Sequence, residues 1–319
     1  MTEKKIVKKH INHILRGILF YSILTIFIVM ADAVIRTVGL MMYYPDGAQM
    51  NAAVDALLED IASHGGSSIV AVLLGTAFLF FYFRKDALFQ PMFAVRQKPS
   101  LRILVMLVCF MMATQFIFSF MAEAAEAGAN LLGYSFMNAI KAATETSETV
   151  SMFLYAALVG PVVEEIIYRG FVMNSLQRYG KTFAIVVSAA IFGIMHGNLL
   201  QGIFAFMAGI VFGYAAMEYS IYLSMILHVI NNCLFGDIFV WLTVDLSEKG
   251  RDMLYMAVIG GFFVAACVLA YRNRKKIVSY FSSNQGHKKY YRYAFTALWM
   301  VLFILLEGFL MLEGIEKIS

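Results

Sequence analysis

Six side chains able to trade protons or hydrogen bonds stand inside apolar stretches of this 319-residue chain. Glu164, Glu165 and Arg169 fall in and just after the run from Leu158 to Ile167, His196 closes a second stretch, and His228 and Asn232 share a third. An ionisable group within a membrane span costs roughly 2.5–3.5 kcal/mol on insertion scales, so several of them in separate apolar segments need a reason. Two carboxylates, two imidazoles, a guanidinium and an amide supply a base, its partners and donors for a developing oxyanion. That is the equipment for activating a water molecule against a peptide carbonyl.

Helical spacing sorts these residues. Glu165 and Arg169 are four apart, acid first, which puts an ion pair on one helix face. Glu164 is rotated about 100° from Glu165 and points elsewhere. His228 and Asn232 are also four apart, and Phe192 stands one turn before His196, in reach of its ring. Pro161 lacks an N–H and is expected to kink its helix and leave a carbonyl free one turn before Glu164. Each residue alone has a plain structural reading: a buried pair fixing helix position, a histidine bonding between helices, an asparagine as interhelical glue. Depth argues for the set. Counted from Arg178, Lys181 and Ser220, residues Glu164, His196, His228 and Asn232 lie roughly 21, 22, 12 and 18 Å along their helices at 1.5 Å per residue.

The elements that must hold them are membrane helices. The chain is 61% hydrophobic and 14% charged, with a mean hydropathy of +0.74, whereas soluble domains run at about 45–50% apolar and 25% charged. There is no room for a large soluble domain. Nine candidate spans fall near 17–42, 68–83, 102–122, 149–176, 182–196, 199–217, 221–241, 253–271 and 293–312. The expected fold is an all-α polytopic transmembrane bundle of about eight to nine spans, its fourth to seventh helices forming the core. The connections 43–67 and 123–149 are expected to hold short surface helices, and Ser147, Thr149 and Ser151 all qualify as cap of the fourth span. Asp32 and Arg36, four apart, interrupt the first span as a local pair. Cys109, Cys233 and Cys267 lack paired spacing, so neither a disulfide framework nor a CxxC metal site is expected.

Charge sets the orientation. With the N-terminus inside, cations collect on the cytoplasmic side: Lys4, Lys5, Lys8, Lys9 and Arg16; Arg84, Lys85, Arg96, Lys98 and Arg102; Arg178 and Lys181; and the basic residues between Arg272 and Arg292. The opposite loops hold Lys141, Lys249 and Arg251 and most acids, including Asp46, Asp55, Glu59, Asp60, Glu123, Glu126, Glu145 and Glu148. The first apolar run is too long for a signal-peptide core. A net charge of +4, clustered in loops, reads as topology and not as a nucleic-acid surface. A multi-pass protein of the cell membrane follows, with the lipid bilayer as its medium.

Three motifs in order, E-E-x-x-x-R at Glu164, Glu165 and Arg169, F-x-x-x-H at Phe192 and His196, and H-x-x-x-N at His228 and Asn232, resemble the CPBP family of intramembrane endopeptidases. These are the CAAX-protease and bacteriocin-processing type, called Abi proteins in bacteria. The resemblance divides the chain into N-terminal spans (1–145), a catalytic helical core (146–245) and C-terminal spans (246–319). It implies that Glu164 is the general base, that His196 helps hold a water or a metal, and that His228 and Asn232 bind the water or the oxyanion. Glu165 and Arg169 would support them from behind, with Phe192 beside the imidazole. Glu164, His196 and His228 make a candidate zinc set, yet the same atoms can hold the water by hydrogen bonds alone, and the sequence leaves both open. The implied partner is a membrane-associated peptide or protein. No H-E-x-x-H helix, G-x-G-D motif or rhomboid-like Ser/His pairing is present. Two other readings compete: a proton-coupled transporter relaying through the same residues, and a noncatalytic peptide-binding immunity or scaffold protein. The lack of inverted repeats speaks against the first, and the intact motif residues against the second.

Overall fold

The computed structural model describes residues 1–44, 47–86, 88–144 and 146–318; Asp46 and Glu145, expected in the acidic loops, lie outside the described residues. Twelve main helices follow one another: α1 Glu3–Met41, α2 Gly47–Ser63, α3 Gly66–Tyr82, α4 Leu101–Asn130, α5 Met137–Thr144, α6 Val150–Tyr179, α7 Lys181–Ile194, α8 Leu199–Glu218, α9 Ile221–Leu242, α10 Glu248–Ser283, α11 Lys288–Phe295 and α12 Leu298–Glu313. Six of them, α1, α4, α6, α8, α9 and α10, are long and apolar enough to cross a membrane. The bent pairs α2–α3 and α11–α12 raise that to eight, and α7 is a shorter apolar helix. The architecture is an all-α polytopic bundle. Among the described residues its one departure is a two-residue ribbon, Tyr134–Ser135 against Glu316–Lys317.

Polar residues start α6, α8 and α9, three of the four helices that carry the site. Thr149 accepts from the Met152 N–H and so caps α6, resolving the three-way choice that spacing left open. Asn198 accepts from Leu200 and Gln201 to cap α8, and Ser220 accepts from Leu223 to cap α9. Between α7 and α8, Gly197 turns the chain at φ 60°, a left-handed conformation that suits glycine. The same two helices meet without side chains between them. A Cβ on Gly193 would fall 2.5 Å from the Gly202 carbonyl, so any larger residue there would force them apart.

Two ends differ from the sequence expectation. Helix α1 begins at Glu3, fourteen residues before the expected span (17 − 3). Val7, Ile11, Ile14, Leu15 and Ile18 form a fully buried stripe through its basic segment, which a search for continuous apolar runs overlooks. Helix α10 likewise continues past residue 271 to Ser283, carrying Arg272–Lys276 in helical register. The expected surface helix between residues 43 and 67 is α2, which buries none of its residues, and α5 stands in the second connection. Asp32 does pair with Arg36, at 3.0 Å, and Arg36 reaches on to Asp60 of α2.

Helices α6–α9 occupy the middle. On one side α1, α3 and α12 join them in a large apolar cluster running from Val7 and Leu79 to Phe171, Phe183 and Phe303. On the other side α4 and α10 close over α8 and α9 through Met111, Phe212, Leu227 and Ile259. The outward faces of α1, α10 and α12 expose Ile23, Phe27, Val264, Leu305 and Phe309, the composition of a lipid-facing surface.

Candidate active site

Glu165 is wholly buried, and three groups hold its carboxylate. Nδ1 of His228 lies 2.9 Å from Oε1, Arg169 Nη1 is 3.2 Å from the same oxygen, and the Ser224 hydroxyl is 2.5 Å from Oε2. The Ser224 oxygen is also 2.9 Å from the Phe212 carbonyl, so its single proton is shared between two acceptors. The expected Glu165–Arg169 face is therefore present in the fold. Arg169 donates from Nη2 to the Gly209 carbonyl at 3.2 Å and lays its guanidinium over the Phe192 ring, 4.6 Å from the centroid. The charge is met by Glu165 at 3.2 Å and by the faces of the Phe192 and Phe212 rings, while Nε and Nη1 make no hydrogen bond among the described residues.

His228 links the two glutamates. A carboxylate facing Nδ1 makes that nitrogen the proton carrier, which leaves Nε2 free to face outward. Nε2 stands 3.6 Å from Oε2 of Glu164. The ring is held flat by Phe212, stacked at 4.7 Å, and edge-on by Phe192 at 5.7 Å. Unlike its neighbour, the Glu164 side chain keeps 35% of its surface accessible. The two adjacent acids thus part as the 100° rotation requires: one locked, one open. Tyr21 of α1, Tyr155 and Tyr168 lie within electrostatic reach of Glu164.

His196 follows α7 and donates from Nδ1 to the Phe192 carbonyl at 2.8 Å, with the Phe192 ring edge-on at 4.8 Å. That bond again leaves Nε2 as the free nitrogen. Phe192 therefore touches both imidazoles and the guanidinium, a larger part than packing beside His196 alone.

Asn232 is engaged differently. Its amide donates to the Ala156 carbonyl at 3.0 Å, and Pro161 explains why. Helix α6 does not kink there but widens into a π turn over Leu154–Val159, in which Gly160 bonds back five residues to Tyr155. In that register residue 161 would bond to Ala156, and proline has no N–H to give. Asn232 supplies it. Behind it, Asn231 donates to the Asn232 side-chain oxygen, Gln115 of α4 donates to Asn231, and Tyr255 of α10 donates to Gln115.

Spacing alone overlooked several of these partners. Ser224 stands four residues before His228, so extending the 228–232 stripe backwards would have found it. Phe212 offers no polar signal, and Gln115 and Tyr255 come from helices distant in sequence. As for the candidate zinc set, no three of His, Cys, Asp and Glu gather as metal ligands among the described residues. Glu164, His196 and His228 do not form such a set in this conformation, and no chemical step below is routed through a metal.

Residues 146–234 match the family described as type II CAAX prenyl endopeptidase, Rce1-like. Over this segment the chain is similar to the CAAX protease family. The matched Rce1-like segment takes in Glu164, Glu165, Arg169, Phe192, His196, His228 and Asn232 and stops short of α10–α12. No curated protein and no solved structure matches the chain. At the level of the family, the Rce1-like core makes this a membrane protease-like enzyme.

Proposed function

We propose that this protein is an intramembrane endopeptidase that hydrolyses a peptide bond of a membrane-associated peptide or protein with water activated by Glu164. The observation that carries the reading is the asymmetry of the acid pair. Glu165 is consumed in orienting His228, while Glu164 is accessible and faces Nε2 of that ring at 3.6 Å. A water can hydrogen-bond to both atoms at once, at about 2.8 Å from each.

In this reading Glu164 takes a proton from the water as its oxygen adds to the scissile carbonyl carbon. Nε2 of His196, fixed by the bond from Nδ1 to Phe192, shares the water's second proton with Nε2 of His228, which aims the oxygen lone pair at the carbonyl carbon. The carbonyl oxygen becomes an oxyanion, and the second N–H of the Asn232 amide donates to it, while Nε2 of His228 stays an acceptor for the water. Oxyanion donors of this kind are each worth about 2.7–4 kcal/mol. Glu165 holds the His228 proton on Nδ1, so that Nε2 presents its lone pair to the water. As the C–N bond breaks, Glu164 returns its proton to the leaving nitrogen, so the base is regenerated and one water is consumed. The tyrosines and phenylalanines around the carboxylate keep lipid from the water, because hydrocarbon solvates neither it nor an unwound substrate.

The basic residues gathered at one end support an inside N-terminus in a cell membrane. Single cysteines at Lys5 and Glu59 should label from opposite faces of sealed vesicles; labelling from one face removes the assigned orientation. The function itself is tested with purified protein in nanodiscs and a hydrophobic fluorogenic peptide. Cleavage by the native chain, lost in Glu164→Ala and His196→Ala at unchanged yield, is expected. Cleavage retained in either variant sinks the mechanism, and substrate flux in its place would favour transport.

A further inference from the structure

Glu307 is an acid in the middle of α12, outside the segment that matches the family. It is 3% exposed. Among the described residues no hydrogen bond or ion pair reaches it, and no cationic side chain lies close enough to act on it. Arg169, the buried cation of the core, is already bound to Glu165. The place of Glu307 is specific. Its Oε2 lies 3.7 Å from where a Cβ on Gly197 would stand, against the residue that follows His196. Tyr168, itself buried, feels both Glu164 and Glu307. Glu307 therefore stands against the turn that carries His196, and Glu164 and Glu307 both lie within electrostatic reach of Tyr168.

An ionised carboxyl removed from water costs several kcal/mol even after relaxation, unless a partner compensates it. Every other acid buried in this core has such partners: Glu165 has three, and Asp237 accepts from the backbone and side chain of Ser147. Glu307 has none among the described residues, which leaves its carboxyl open to a partner from outside the chain. We propose that Glu307 is a specificity subsite that receives a basic side chain of the peptide substrate beside the scissile bond. The proposal rests on the peptidase reading and adds the substrate's chemistry to it. A lysine or arginine stem lies along apolar walls while its head meets the carboxylate. A peptide with a neutral residue at that position leaves Glu307 desolvated and alone, which is discrimination by an unpaired charge.

The test uses peptides identical except for lysine or norleucine, placed in turn at each position flanking the cleaved bond. The native protein is expected to favour one lysine peptide in kcat/KM by about tenfold or more, since a buried polar group left unpaired rejects the analogue that lacks its partner. In Glu307→Gln that ratio should fall to about one, and in Glu307→Lys a glutamate peptide should overtake the lysine peptide. An unchanged ratio in Glu307→Gln, or no lysine preference in the native chain, overturns the proposal. A loss shared equally by all peptides does so too, because it marks a proton-carrying or structural role. Anisotropy of the labelled peptides on the Glu164→Gln protein reads the same preference as binding. Lysine-selective binding with no turnover in the native chain would sink the peptidase reading and leave the subsite standing.

Discussion

At the scale of single residues, two neighbouring glutamates in one helix are predicted to fail in opposite ways. Glu164→Gln removes the base and keeps the shape, so turnover should fall by about 10²–10⁴-fold while the melting temperature holds. Glu165→Gln strips charge from a carboxylate that binds His228, Arg169 and Ser224. Breaking a buried pair from one side costs about 3–5 kcal/mol, so thermal unfolding in detergent should begin well below that of the native chain. A stable, inactive Glu165→Gln together with an unstable Glu164→Gln would reverse the two assignments. Much of this was legible in advance. The spacing of Glu165, Arg169, His228 and Asn232 defines which groups share a face, and one residue of offset separates Glu164 from Glu165. The part played by Phe212 was not, because a phenylalanine in an apolar helix carries no cost that marks it, and Ser224 is reached only by extending the 228–232 stripe backwards. Glu307 was legible by the same rule that singled out Glu164, an acid inside an apolar run, and lacked only neighbours in sequence to complete a motif.

Elements account for the next layer. Pro161 was expected to bend α6 and free a carbonyl; it does free one, yet the helix absorbs the fault as a π turn and α9 repairs it through Asn232. Backbone register of this kind follows from packing against a second helix, which spacing within one helix does not encode. The pairing predicts a coupled response. Pro161→Ala restores an N–H beside Ala156 and releases Asn232 from that duty. Asn232→Ala should therefore destabilise the native background more than the Pro161→Ala background, with a coupling of about 0.5–3 kcal/mol in a double-mutant cycle of unfolding free energies. Additive effects would mean that the Ala156 carbonyl is satisfied in another way. Because Asn232 also stands beside His228, its alanine variant should lose activity in both backgrounds, which separates the chemical role from the structural one.

Seen whole, the segment that carries the family likeness is the middle of a larger packing unit. Phe171 of α6 stacks on Phe83 at the end of α3 at 5.0 Å, and Gly170 leaves room for Met92, whose side-chain atoms would stand 2.8 Å from a Cβ there. Tyr21 of α1 fits against α3 only because Gly75 has no side chain: a Cβ would meet its ring at 2.7 Å. Val7, Ile11, Ile14 and Ile18 join the same apolar cluster as Val163, Ile167 and Phe171. A division at residues 145 and 245 describes where the motifs lie, and the core crosses both boundaries. A fragment spanning 146–245 would expose these faces to lipid, which replaces water-driven burial with nothing more than lost packing between helices. It would also leave the Asn231–Gln115–Tyr255 chain without its outer members. The fragment is predicted to insert without a cooperative melt and without peptidase activity. Co-expression with 1–145 and 246–319 as separate chains should restore both, since the helices meet through side chains and not through the connecting loops. A fragment that cleaves peptide alone would show that α1, α3, α4 and α10 are dispensable to the geometry around Glu164, and would move the determinants of the site back inside the matched segment.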